Sequence, residues 1–152
     1  MRLPNVEGRN LSRQKMVFPD DFIGEINLVF IAFLRQHQDD IDEWVPTVEQ
    51  LAQEFPGLYY YEFPVLPQKG FFYRTLLNEG MRAGIPSEAT RKRTITLYLE
   101  KSAFKKALEI NNEQNIWVYV FEKSGEVLWR TEGRITKEKS KALRDMLSQT
   151  IE

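Results

Sequence analysis

The sequence predicts an α/β fold in which helices cover both faces of a mixed central sheet. The segments Ile26–Phe33 and Ile116–Phe121 are nearly all apolar and rich in β-forming residues, as expected of strands that are covered on both faces. Between them, strand-like and helix-like segments alternate, and this order favours a largely parallel sheet. A hairpin that begins with Ile116–Phe121 makes the sheet mixed.

The first part of the chain predicts a hairpin, a strand and a helix. Asn10–Val17 has the alternation of a β-hairpin, which Pro19–Asp21 ends. Asp39–Phe55 is the clearest helix, because apolar residues recur in it at helical spacing. Acidic residues crowd its first turn, where negative charge suits the helix dipole. Trp44 lies on the apolar face of this helix and is therefore predicted to be a core residue.

The middle of the chain predicts two further strands with a helix between them. Leu58–Phe63 is the second strand, and Pro64 and Pro67 are expected to close it. Gln68–Ala83 is predicted to be a helix, since apolar residues line one of its faces. Thr94–Leu99 alternates between apolar and polar residues, which predicts the third strand.

Short local signals define the last part of the chain. Ser102 is predicted to cap a short helix. Lys123–Gly125 is expected to form the turn of a hairpin that returns through Val127–Thr131. Thr136 is predicted to cap the last helix in the same way as Ser102 caps the short one.

Size, charge and composition restrict the classes of function. The chain of 152 residues is predicted to be one domain, residues 1–152, in which residues 1–21 form the N-terminal hairpin extension. The formal net charge of −1 supplies no field that would steer the protein to nucleic acid or an anionic membrane. The sequence contains no cysteine, which excludes disulfides, thiolate zinc sites and Fe–S ligation.

The chain shows no signal peptide and no apolar run long enough to cross a bilayer. We therefore expect a soluble protein of the cytoplasm or of an organellar matrix or stroma. Association with a membrane is expected to be peripheral at most.

A series of short motifs is spread in a fixed order over almost the whole chain. These motifs are Gly8–Ser12, Phe18–Asp20, Leu28–Phe33, Trp44, Tyr60–Glu62, Pro64, Gly80, Met81, Gly84, Ile85, Arg93, Thr94–Leu99, Ile116–Gly125, Trp129 and Gly133. In this order they resemble the thioredoxin-like superfamily, in particular its peroxiredoxin-like branch with an extra N-terminal hairpin. Within that branch, the sequence is similar to the family of the mitochondrial ATP synthase F0 assembly factor and its bacterial relatives.

The resemblance implies a thioredoxin-like three-layer fold without a redox site. Members of the superfamily place a reactive Cys pair between the first central strand and its helix. The residues at that junction are here Arg35, Gln36, His37 and Gln38. Members usually also carry a cis-proline before the strand that opens the closing hairpin, where Gln114 and Asn115 stand in this chain. The resemblance thus implies a protein with no catalytic residue and no cofactor.

A non-catalytic role follows from the same resemblance. It implies a protein-binding module that acts as an assembly or chaperone factor on an ATP synthase F0 subunit or an assembly intermediate. The candidate contact residues are Arg91, Lys92 and Arg93, together with Trp117 and Trp129 on the closing hairpin. Both tryptophans are expected to be partly exposed, as aromatic residues of a protein interface are. The sequence does not fix the oligomeric state.

Two other functions stay open. A binder of a small anionic ligand, or an enzyme, would use the crevice of Arg35–Asp40, where a cation and the titratable His37 meet a helix N-terminus. The acids Asp39 and Asp40 oppose strong anion binding there. Nucleic-acid binding through Arg91–Arg93 is the weaker alternative and would show a steep salt dependence. No metal site is expected, because the acids near His37 are explained by the helix N-terminus.

Overall fold

The computed structural model describes residues 1–67 and 88–151. These residues form seven strands and four helices. In chain order the elements are β1 (Val6–Asn10), β2 (Lys15–Phe18), β3 (Ile26–Ala32), α1 (His37–Glu54), β4 (Leu58–Pro67), α2 (Glu88–Arg93), β5 (Ile95–Leu99), α3 (Lys101–Leu108), β6 (Trp117–Glu122), β7 (Val127–Glu132) and α4 (Lys137–Thr150).

The described strands form one mixed sheet in the order β2-β1-β5-β4-β3-β6-β7. The inner strands β3, β4 and β5 run parallel to one another. The hairpin β1–β2 adds to β5 in the antiparallel direction, and the closing hairpin β6–β7 adds to β3 in the same way. The predicted α/β architecture, with an N-terminal hairpin and a closing hairpin in a mixed sheet, is confirmed.

Two apolar clusters occupy the two faces of the sheet. On one face, α1 and α4 cover the side chains of Leu28 and Phe30. On the other face, the N-terminal segment and α3 cover Val29 and Ile31. Because both faces are covered, every residue of β3 is buried, which explains its uninterrupted apolar sequence. The prediction that helices lie on both faces is confirmed.

The second strand is longer than predicted. We expected Pro64 and Pro67 to close it after Phe63, whereas β4 continues to Pro67. The pairing with β3 ends at Ala32 and Pro64, and the pairing with β5 takes over at Val65. Pro64 therefore lies where the strand changes neighbours, a position at which a missing N–H interrupts the ladder least.

Of the two predicted helix N-caps, one is confirmed and one is wrong. Thr136 caps α4 as predicted, because its side chain accepts the N–H of Lys139 at 3.1 Å. The prediction for Ser102 is wrong, since Glu100 is the cap of α3 and its carboxylate accepts the N–H groups of Ser102 and Ala103. The cap thus lies two residues earlier than predicted, where a carboxylate accepts the first free N–H groups of the helix. The helix predicted at Gln68–Ala83 lies outside the described residues.

Candidate functional site

The junction between β3 and α1 is the position that the sequence resemblance assigns to a lost redox pair. β3 ends at Ala32 and α1 begins at His37, so the connecting residues are 33–36. The loop predicted to run from Leu34 to Asp40 is shorter than expected, because His37 and the three residues after it are already helical. The junction leaves an inner strand, flanked by β4 and β6.

His37 is a buried structural part of this junction, with 2% of its surface exposed. Its Nδ1 lies 3.1 Å from the backbone nitrogen of Phe33 and 3.3 Å from that of Leu34. Because both backbone groups are N–H donors, Nδ1 is the acceptor and the ring proton is on Nε2. Nε2 donates to the carbonyl oxygen of Gln114 at 2.9 Å. One imidazole thus joins the junction to the segment that precedes β6.

The other three residues of the junction have different surroundings. Arg35 and Gln36 are exposed, as is Leu34 beside them, with 41% of its surface accessible. Gln38 turns toward the sheet, where its Nε2 donates to Asp42 at 2.9 Å and to Glu62 at 3.2 Å. The junction therefore presents an exposed tip above two residues that bind it to the rest of the fold.

Glu62 of β4 is a buried carboxyl group beneath the junction, 6% exposed. Burial raises the pKa of Glu62, and the negative charge of Asp42 acts in the same direction. The hydrogen bond from Gln38 and the charge of Arg93 lower the pKa, but they do not offset the effect of burial. The sequence analysis missed Glu62 as a site residue, although one acidic residue inside an otherwise apolar and aromatic strand is a visible signal.

The segment before β6 is held in place by side-chain hydrogen bonds. The backbone N–H groups of Gln114 and Asn115 both donate to Oδ1 of Asn112 at 3.2 Å. The amide groups of Asn112 and Asn115 donate in turn to Glu132 of β7, at 2.9 and 3.2 Å. The hydrogen bond from Asn112 is the largest cause of the lowered pKa of Glu132. The position expected of a cis-proline is thus occupied by an amide network.

A second contact fixes the same segment to α3. Glu113 accepts from Lys101 at 2.9 Å and from Lys105 at 2.6 Å. These ammonium groups lower the pKa of Glu113, with the bond from Lys105 as the largest cause. The carbonyl group of Gln114 that meets His37 is therefore anchored from both sides.

The first helix is tied to the end of β7. Trp44 is fully buried, as predicted, and its Nε1 donates to the carbonyl oxygen of Gly133 at 3.0 Å. Arg134 pairs with Glu43 at 2.8 Å and lies 3.8 Å from Asp40. Gly133 also donates its N–H to the carbonyl oxygen of Ile116, at 2.8 Å. The start of α1, the end of β7 and the start of β6 thus form one connected end of the sheet.

The predicted contact residues of the basic run lie in α2. Arg93 packs its guanidinium against the rings of Tyr59 and Tyr60, at 4.4 and 4.1 Å from their centroids, and donates to the carbonyl oxygen of Tyr60 at 3.3 Å. Lys92 is exposed and lies 3.7 Å from Glu88 of the same helix. Arg91 is half-buried. The run contacts β1 and β4, and the charge of Arg93 acts on Glu62 beneath the β3–α1 junction.

The two tryptophans of the closing hairpin differ in exposure. Trp117 is 5% exposed, and its Nε1 donates to the carbonyl oxygen of Asn112 at 3.1 Å. The expectation that it is partly exposed is wrong, because it lies on the face of the sheet that α3 covers. Trp129 is half-buried on β7, the edge strand of the described sheet.

Within residues 1–67 and 88–151, no three histidine or acidic side chains converge as metal ligands would. No helix in those two stretches combines the length and the apolar character that crossing a membrane requires.

Several solved structures of other proteins share this fold. Arabidopsis thaliana ScoI with copper bound shares 6% identity at a TM-score of 0.67, over 98% of this chain and 99% of that chain. BsSco, a member of the Sco family of cytochrome c oxidase assembly proteins, shares 13% identity at a TM-score of 0.62, over 97% of this chain and 92% of that chain. The exposed lipoprotein thioredoxin Etrx1 from Streptococcus pneumoniae strain TIGR4 shares 11% identity at a TM-score of 0.61, over 96% of this chain and 99% of that chain. The likeness confirms the thioredoxin-like fold.

The sequence itself identifies the family. The chain belongs to the ATP10 protein family, which it matches over residues 1–149. The family indicates a role in ATP synthase assembly and confirms the resemblance seen in the sequence motifs. No curated protein matches the sequence.

Proposed function

We propose that this protein is a redox-inactive assembly factor that binds a protein subunit or an assembly intermediate of the ATP synthase membrane sector. The match of residues 1–149 to the ATP10 family carries this proposal. The expected compartment is the one in which the synthase is assembled, which is the cytoplasm of a bacterium or the matrix or stroma of an organelle.

The chemistry of the β3–α1 junction supports binding rather than thiol exchange. Thiol exchange needs a thiolate nucleophile, and the chain contains no cysteine. His37 is the junction residue whose side chain could act as a base or nucleophile. It is buried, however, and both of its ring nitrogens are hydrogen-bonded to the backbone. The junction is therefore built as a fixed structure with an exposed surface.

We name this exposed surface the junction rim, consisting of Leu34, Arg35 and Gln36 on one side of His37 and of Gln114 and Asn115 on the other. All five side chains are exposed. Three amide groups, one cation and one exposed leucine suit the mixed polar and apolar surface of a protein partner. Because His37 and Asn112 fix both sides, binding would require little ordering of the backbone and would lose little conformational entropy.

Affinity capture from native membranes tests the proposal. The test variant is Leu34→Ser combined with Arg35→Ser, which removes the apolar and the charged group of the rim. The matched control is Ile23→Ser combined with Lys123→Ser, because both residues are exposed and lie at the opposite end of β3. The wild-type protein and the control should recover subunits of the membrane sector, and the test variant should recover at least about tenfold less, as expected for loss of contact residues.

Two outcomes would overturn the proposal at different levels. Recovery of no synthase subunit above background by the wild-type protein would remove the assembly role. Equal recovery by the test variant and the control would keep that role and remove the junction rim as the contact surface.

The alternative function is binding of an anionic ligand beside Arg35. The exposed guanidinium of Arg35 is available to such a ligand, whereas the imidazole of His37 is not, because it is buried. A ligand of this kind would raise the melting temperature of the wild-type protein by mass action. The variant Arg35→Ser should abolish the rise, and a panel of anions without effect on the wild-type protein would exclude this alternative.

A further inference from the structure

His37 is the one histidine of the chain, and its contacts fit a single protonation state of the ring. The neutral ring with its proton on Nε2 satisfies two donors and one acceptor: the N–H groups of Phe33 and Leu34 at Nδ1, and the carbonyl oxygen of Gln114 at Nε2. The ring is 2% exposed, so water does not replace these partners while the junction is closed. The closed junction therefore depends on a neutral imidazole.

We propose that protonation of His37 opens the β3–α1 junction, so that this residue is an acid-sensitive latch between the junction and the segment before β6. In the imidazolium form, Nδ1 carries a proton and accepts nothing. That proton points at the N–H groups of Phe33 and Leu34, which lose their acceptor and face a positive charge. A buried donor without an acceptor is unfavourable, so the backbone moves away from the ring and toward water.

The carboxylates of the elements around the ring have other partners. On β4, Glu62 accepts from Gln38 at 3.2 Å. On its own helix, Asp40 and Glu43 lie against Arg134, which follows β7. In the segment before β6, Glu113 pairs with Lys101 and Lys105 of α3.

Two further charged groups belong to the same surroundings. Glu132 of β7 accepts from the amides of Asn112 and Asn115. Arg35 precedes His37 in the junction and adds positive charge there. In the part of the chain that the structure describes, the ring has no carboxylate partner, so protonation gains no ion pair.

The latch belongs to the junction itself and does not depend on the proposed function. We expect the backbone of the junction to become mobile in mildly acidic solution, whether or not the junction rim binds a partner. Acid favours the opened junction because only there does water reach the ring and hydrate the imidazolium.

NMR spectroscopy of the full-length, 15N-labelled protein tests the latch. With one histidine, the long-range correlations of the ring are unambiguous and should show the Nε2–H tautomer at about pH 7.5. Hydrogen exchange of the Phe33 and Leu34 amides, corrected for the intrinsic rate, should lose at least about tenfold in protection on going to about pH 5. The amide of Val29, within β3, should change by less than about twofold and serves as the internal reference.

The matched variant is His37→Gln, whose amide can accept at one end and donate at the other but does not titrate. In this variant, the ratio of protection between the two pH values should change by less than about twofold. An Nδ1–H tautomer in the wild-type protein would overturn the proposal. So would equal pH ratios for Leu34 and Val29 in the wild-type protein, a comparison that holds even if the variant does not fold.

Discussion

Two buried ionisable groups, His37 and Glu62, lie close together at the start of α1 but have opposite surroundings. His37 is itself buried, and each of its three polar contacts fits the neutral ring. Glu62 accepts a hydrogen bond from Gln38, the next residue of α1. Burial raises the pKa of Glu62, and the negative charge of Asp42 raises it further. The comparison teaches that burial of an ionisable group does not by itself indicate a reactive site. What matters is whether the surrounding donors and acceptors match one of its protonation states.

The largest effect is expected from His37→Ala. This change leaves two backbone N–H groups and one carbonyl group without their partner, and we expect the free energy of unfolding to fall by about 3 kcal/mol. Urea denaturation at neutral pH measures it. His37→Gln should recover more than half of the loss. A loss below about 1 kcal/mol for His37→Ala would show that water replaces the ring as hydrogen-bond partner. The surroundings of His37 would then be no better matched to its neutral form than those of Glu62 are to its charged form.

A smaller effect of the opposite sign is expected from Glu62→Gln. The raised pKa of Glu62 means that the native state binds a proton more tightly than the unfolded chain does. Stability is therefore highest below the unfolded pKa and falls as the pH rises through the raised native value. The amide carries no such penalty, so the variant should be about 1 kcal/mol more stable than wild type at neutral pH.

The pH dependence decides how this result is understood. Denaturation midpoints of Glu62→Gln and wild type should converge below about pH 4, where the carboxyl group is protonated in both states. A variant that is less stable than wild type at neutral pH would show that Glu62 is held as a charged, paired group. The contrast with His37 would then be wrong.

The smallest effect is expected from Gln38→Ala. Its amide lowers the pKa of Glu62, so its loss should reduce stability at neutral pH by about 0.5–1 kcal/mol. In the background of Glu62→Gln the same change should cost less, because no carboxylate remains to be stabilised. A double-mutant cycle measures this coupling, and strictly additive effects would contradict the role of Gln38 as the partner of Glu62.

Much of the fold could be predicted because local patterns record burial. The uninterrupted apolar run of β3 indicated an inner strand, and the helical spacing around Trp44 indicated the face that is packed on the sheet. The hydroxyl of Thr136 indicated the start of α4, since a cap acts on donors two or three residues away. The end predicted for β4 at Pro64 was wrong, because the effect of a proline depends on which strand pairs with β4 at that position.

The candidate site could be located from the sequence but not described from it. The junction at Arg35–Gln38 follows from the position of the first inner strand. His37 was predicted to be a titratable group of a ligand crevice, whereas it is buried with both nitrogens bonded. Glu62 was not singled out as a site residue, since its contact with Gln38 joins residues 24 positions apart.

The sequence alone determined the classes of element, their order, the family and the lack of a thiolate, because periodicity, motif order and composition are properties of the chain itself. Only the tertiary structure decided that His37 meets the carbonyl group of Gln114, which is 77 positions away. Strand pairing brings those two segments to the same end of the sheet. A periodic pattern states which side of an element is buried, while the partner of a buried polar atom depends on which distant segment packs against it.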